Sequence, residues 1–162
     1  MNTLASTFQC LNDLSAGSVI REYAVAGATA AMFYMEAVRT YNLDVFVMLP
    51  PQTGSILSME PLYSELKRSG YSFDAEHVII NGVPVQFIPS YCTLSDEAMK
   101  HTMLLDYDGV SVPVLKPEYL VALWIDAGGA KRIQRARDLA SSESVHGVML
   151  DEILDRFGLE IR

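Results

Sequence analysis

The run Leu-Asp-Val-Phe-Val-Met-Leu at residues 43–49 constrains this chain more than any other segment. It is β-branched, aromatic and almost wholly apolar, the pattern of a strand with both faces covered. Pro50, Pro51 and Gly54 end it. One residue breaks the pattern. Asp44 puts a carboxylate inside an apolar strand, where it is costly unless paired or at an edge. A functional origin accounts for it better than a structural salt bridge, for which Arg39 is the candidate partner.

The other elements arrange themselves around this strand. Leu4, Phe8, Leu11 and Leu14 stand at helical spacing, so residues 4–14 read as an amphipathic helix. Residues 23–26 form a short apolar run ending at Gly27, and the small-residue stretch 28–38 reads as a helix. Residues 60–69 predict a helix with Pro61 in its first turn and Gly70 after its end. Asn81-Gly82 and Asp108-Gly109 supply the positive φ angles of tight primed turns. They predict hairpins pairing 77–80 with 83–88, and 103–107 with 110–115. Ser95 is the expected cap of a helix beginning at Asp96-Glu97. Helices are expected at 117–127, 131–140 and 148–157. The whole is a mixed α/β (α+β) sheet with a glycine turn near its start and flanking helices. It reads as one domain over residues 1–162, with an α/β core at about 20–116 and a helical C-terminal segment at about 117–162.

Charge narrows the function classes. Twenty acidic residues stand against twelve basic ones, a formal net charge of -8. That balance argues against general DNA binding, which needs an excess of Lys and Arg. It leaves room for a small basic pocket. Lys131, Arg132, Arg135 and Arg137 form a basic helix in this acidic chain, most simply a solvated or inter-segment face. Cys10 and Cys92 have no CxxC partner, which argues against a zinc site or a disulfide framework. His77, His101 and His146 show no ligand spacing and read as structural or exposed. Trp124 on its apolar helix reads as core. The absence of a signal peptide and of any long apolar run gives the expectation of a cytoplasmic protein with no membrane partner.

Two stretches carry a family resemblance. Residues 23–47, YAVAGATAAMFYMEAVRTYNLDVFV, resemble the opening of the minimal nucleotidyltransferases, particularly the AbiEii-like group. There a strand enters a Gly-Gly or Gly-Ser turn and a small-residue helix, followed by Arg-Thr and a strand carrying D-x-D. Residues 114–140, VLKPEYLVALWIDAGGAKRIQRARDLA, are similar to that group's C-terminal pattern. The resemblance covers residues 23–140. It implies a nucleotidyltransferase-like fold and transfer of a nucleotide from an NTP to a hydroxyl acceptor, a protein or tRNA. It also implies Mg²⁺ held by carboxylates at i and i+2 of one strand and by a third on its neighbour.

The chain departs from that pattern where the chemistry sits. The D-x-D position reads Asn42-Leu43-Asp44, and the third acid's position reads Gln86. The glycine pair reads Gly27-Ala28, and Trp124 takes a place where relatives often carry Lys. The resemblance therefore assigns Asp44 as the catalytic and metal-binding carboxylate, with Asn42 and Gln86 as weak neutral ligands. It assigns Gly27, Ala28, Thr29, Arg39, Thr40, Lys131 and Arg135 to nucleotide or phosphate contacts. Losing two negative charges should weaken Mg²⁺ binding severely. Two functions follow as expectations: a transferase with a degraded metal site, or an inactive nucleotide-binding or protein-docking regulatory module of the toxin–antitoxin kind.

Overall fold

The computed structural model describes residues 2–36, 40–52, 54 and 58–161. Its strands are β1 (Glu22–Ala26), β2 (Leu43–Met48), β3 (Ser72–Asp74), β4 (His77–Ile80), β5 (Val83–Pro89), β6 (Met103–Tyr107) and β7 (Val110–Val114). Its helices are α1 (Thr3–Ala16), α2 (Gly27–Ala31), α3 (Glu60–Arg68), α4 (Thr93–Lys100), α5 (Pro117–Ala127), α6 (Ala130–Ala140) and α7 (Gly147–Phe157). The strands form one mixed sheet in the order β3-β4-β5-β2-β1-β7-β6. The apolar run that became β2 stands at its centre, antiparallel to β1 and parallel to β5.

Strand alternation divides the sheet into two faces. Tyr23, Val25, Val45, Val47, Val85 and Phe87 share one face through the registers Tyr23↔Val47, Val25↔Val45, Leu43↔Val85 and Val45↔Phe87. Helix α1 covers this face. Phe8 meets Tyr107 edge-on with centroids 5.3 Å apart, and Thr7 Oγ1 donates to the Ile80 carbonyl at 3.0 Å. Ala24, Ala26, Asp44, Phe46, Gln86 and Ile88 share the other face. Helix α5 lies there, buried along Pro117 to Trp124, and α6 and α7 pack on α5. Burying a helix of this kind contributes about 1.5–3 kcal/mol per large apolar side chain.

Both hairpins form as the dipeptides predict: Asn81 and Gly82 have φ of 51° and 81°, Asp108 and Gly109 of 49° and 83°. Three features differ from the sequence reading. The helix after Gly27 ends at Ala31, because tertiary bonds pull the following turn away. Tyr34 Oη donates to the Leu115 carbonyl at 2.7 Å, and Ser144 Oγ donates to the Tyr34 carbonyl at 2.7 Å. Ser95 lies inside α4 rather than at its cap. Extended Cys92 takes the cap position, and the Cys92 N–H donates to Ser95 Oγ at 3.0 Å. The exposed edge strand β3 had no apolar pattern to announce it. Among the described residues, no helix is long and apolar enough to cross a membrane.

Helix α7 is clamped at its far end. Arg156 donates through Nη1 and Nη2 to both oxygens of Glu97 on α4, and Tyr119 Oη of α5 donates to Glu97 Oε2 at 2.8 Å. The Arg156 guanidinium holds the Glu97 carboxyl below its usual pKa, with the Tyr119 hydroxyl helping and partial burial opposing. A lowered folded-state pKa contributes stability above the ordinary glutamate range, about 4.3, that is lost as pH falls through the folded value. Glu97→Gln is therefore expected to melt below wild type at pH 7, with the gap closing toward pH 3. Thermal melts followed by circular dichroism across that range check it.

Candidate functional site

The sheet register assembles the site. Asp44 on β2 lies directly opposite Ala26 on β1 and Gln86 on β5, so Gln86 and Asp44 share a face. Asn42, two residues before Asp44, reaches the same group: its Nδ2 donates to Asp44 Oδ1 at 3.1 Å. Gly27 closes the other side. It follows Ala26 at the end of β1 with φ of 59°, and a Cβ there would lie 2.4 Å from Asp44 Oδ2. A side chain at position 27 would meet both a strained backbone and the carboxylate.

The neighbouring hydroxyls are engaged by the main chain. Thr29 Oγ1 donates to the Asn42 carbonyl at 3.3 Å and Thr40 Oγ1 to the same oxygen at 2.6 Å. They pin the entry to β2 and so aim Asn42. Ala28 is buried. Arg39 lies outside the described residues. His77, read from the sequence as structural or exposed, joins the cluster from the start of β4, with Nε2 3.3 Å from Asn42 Nδ2. An Asn42 amide that donates to Asp44 donates to His77 as well. The ring then accepts on Nε2 and carries its proton on Nδ1, 4.0 Å from Glu76 Oε1.

Two cavities lie at the Asn42–Asp44 pair, one against each residue. One, of ≈ 210 Å³, is lined by Gly27, Asp44, Phe46, Tyr91, Trp124 and Arg132 among others. The larger, of ≈ 560 Å³, is lined by Thr29, Thr40, Asn42, Met32, Tyr41 and Pro84 among others. Gln86 lines neither. The smaller cavity matters more for chemistry because it holds the carboxylate. Trp124, 7% exposed, is both core and cavity wall. Helix α6 faces this cavity through Arg132 rather than Lys131, which is exposed on the same helix. Burial pushes the Asp44 pKa up, and the positive fields of His77, Arg132 and Arg135 offset part of that shift. Asp138, at helical spacing from Arg135, accepts instead from Gln134 Nε2 at 2.9 Å.

This donor set does not fit a pair of magnesium ions. Asp44 is the single carboxylate, one of its oxygens is already hydrogen-bonded to an amide N–H, and Gln86 is neutral. Among the described residues, no three His, Cys, Asp or Glu side chains group as metal ligands. Magnesium sheds water reluctantly and is drawn by carboxylate charge, which one acid cannot supply for two ions.

The fold is that of nucleotidyltransferase-like proteins. An antigenic nucleotidyltransferase-like protein from Paracoccidioides brasiliensis superposes with a TM-score of 0.60 at 15% sequence identity, over 96% of this chain and 87% of its own. ANT(2")-Ia, solved in complex with adenylyl-2"-tobramycin, superposes with a TM-score of 0.57 at 12% identity, over 97% of this chain and 98% of its own. No protein-family model matches the chain, and no curated protein sequence matches it.

Two substitutions test the contact at the centre of the site. Gly27→Ala should cost about 2 kcal/mol or more in urea unfolding, from the left-handed backbone and the collision with Asp44. Asp44→Asn should have the opposite effect. A raised folded-state pKa means that folding favours the protonated acid, so this group's contribution is lost as pH rises through the folded value. The asparagine variant is expected to melt above wild type at pH 7, and the difference should shrink as pH falls.

Proposed function

We propose that this protein binds a nucleotide in the cavity between Asp44 and Arg132 and has lost efficient two-metal nucleotidyl transfer. The observation that carries this reading is the pair of neutral amides, Asn42 and Gln86, beside the single carboxylate Asp44. The cavity joins aromatic walls, Phe46, Tyr91 and Trp124, to a guanidinium at Arg132. Aromatic faces suit a base, and a cation suits phosphate. ANT(2")-Ia, with its adenylyl-bearing ligand, supports a nucleotide as the class of molecule this fold accepts.

In this reading the backbone of Gly27, Ala28 and Thr29 approaches the phosphates, and Arg132 and Arg135 supply the facing charge. Arg39, Thr40 and Lys131 are further phosphate contacts suggested by the sequence resemblance. Asp44, Asn42 and Gln86 would hold a cation only weakly. A protein-docking regulatory module, of a toxin–antitoxin type system, is the alternative to nucleotide binding. The tRNA or protein acceptor belongs to the ancestral reaction.

Calorimetry with ATP, GTP, CTP and UTP, with and without Mg²⁺, tests it. At least one nucleotide should give saturable heat, while transfer of label from a radiolabelled NTP to tRNA or protein should not exceed that of Asp44→Ala. Absence of heat with all four would overturn nucleotide binding; transfer above the Asp44→Ala level would identify a working transferase instead. Restoring the acids with Asn42→Asp and Gln86→Asp should tighten Mn²⁺ binding about tenfold or more, which is about 1.4 kcal/mol, measured by calorimetry with the metal alone.

A further inference from the structure

The charges around the small cavity have an unusual balance for a polyphosphate site built on carboxylates. Three clustered acids repel a polyphosphate unless cations stand between them. Here the cavity wall carries one acid, Asp44, and its hydrogen-bonded neighbour Asn42 is neutral. The permanently charged groups whose fields reach Asp44 are Arg132 and Arg135, joined by the His77 ring only when it is protonated. At the mouth, Tyr91 feels Asp126 and Arg132 with opposite sign. No described carboxylate is ion-paired to Arg132 or Arg135. The ion pairs of the described residues are Glu65 with Arg68 and Glu97 with Arg156, and Glu76 lies 4.0 Å from His77 Nδ1.

Arg132 is also positioned to serve. It stands in the first turn of α6, just after the Gly128-Gly129 turn that swings this helix back over α5. Its Nη1 makes one long hydrogen bond, 3.5 Å, to the Gly128 carbonyl. A guanidinium has five N–H donors in a rigid fork, so most of its capacity remains for a ligand in the cavity it lines. Asp44, meanwhile, is already satisfied on one oxygen by an amide N–H, a donor where a cation would otherwise be needed.

We infer that this site takes its polyphosphate without a divalent cation: Arg132, which lines the cavity, holds the phosphates directly, Arg135 three residues further along α6 adds positive field, and Asn42 stabilises the Asp44 carboxylate by hydrogen bonding. The inference rests on the nucleotide-binding reading of the same cavity and specifies its chemistry. The disagreement between the residues and a magnesium pair is then a change of counter-ion, from metal to guanidinium.

The test is calorimetry on the full chain with the four NTPs and with inorganic tripolyphosphate, each in EDTA and in excess Mg²⁺. Binding in EDTA should lie within about threefold of binding in Mg²⁺ and weaken as salt rises. Arg132→Ala and Arg132→Gln should each raise Kd in EDTA about tenfold or more, with Arg132→Lys between them and wild type. Lys100→Ala, the same charge change on an exposed end of α4, should leave Kd unchanged. Melting curves for each variant separate loss of binding from loss of fold. An NTP that binds in Mg²⁺ but not in EDTA overturns the metal-free site and leaves nucleotide binding standing. Wild-type affinity in folded Arg132→Ala and Arg132→Gln also overturns it. Binding in neither condition removes the nucleotide reading and this inference with it.

Discussion

The central strand β2 has to be covered on both faces, and the rest of the fold is largely the means of covering it. Helix α1 closes one side and α5, backed by α6 and α7, closes the other. Val45 and Val47 face α1; Phe46 faces α5. An apolar strand in this position leaves the chain little freedom to slip, because a shift of one residue would turn Val45 and Val47 toward the wrong layer and Asp44 into the α1 core. Asp44 sits where that coverage is incomplete. It is tolerated because Gly27 leaves room beside it and Asn42 gives it a hydrogen bond.

The same contact links fold to function. Ala26, Asp44 and Gln86 stand side by side, next to a glycine turn, in a sheet whose fold is that of nucleotidyltransferase-like proteins. The amides Asn42 and Gln86 stand beside Asp44, a histidine approaches from β4, and Arg132 of α6 lines the cavity. Replacing acids by amides removes repulsion toward an anion as well as attraction for a metal. These two effects act in opposite directions on ligand binding.

Much of the fold was legible locally. Asn81-Gly82 and Asp108-Gly109 specified their hairpins because few other residues adopt paired positive φ angles so readily. Pro117 marked the start of α5 and Gly128 follows its end. The edge strand β3 was not legible, since its exposed residues carry no alternation of burial, and the short α2 was not, since Tyr34 is drawn off by Leu115 and Ser144, remote in sequence. The site divides in the same way. The convergence of Asn42, Asp44 and Gln86 followed from strand alternation and a family resemblance. His77 did not, because its approach to Asn42 depends on the β4–β5 hairpin lying beside β2. Arg132 stood out only as one of several basic residues, because the phase of α6 is set by how the Gly128-Gly129 turn lays it on α5.

The sequence by itself determined the central strand, the acid within it and the two tight hairpins. Each of these is a property of residue type and short spacing. Tertiary structure decided which groups meet that acid: the Gly27 backbone, the Asn42 amide, the His77 ring and the Arg132 guanidinium. Those meetings depend on strand order, register and helix phase, which arise from contacts between segments far apart in the chain.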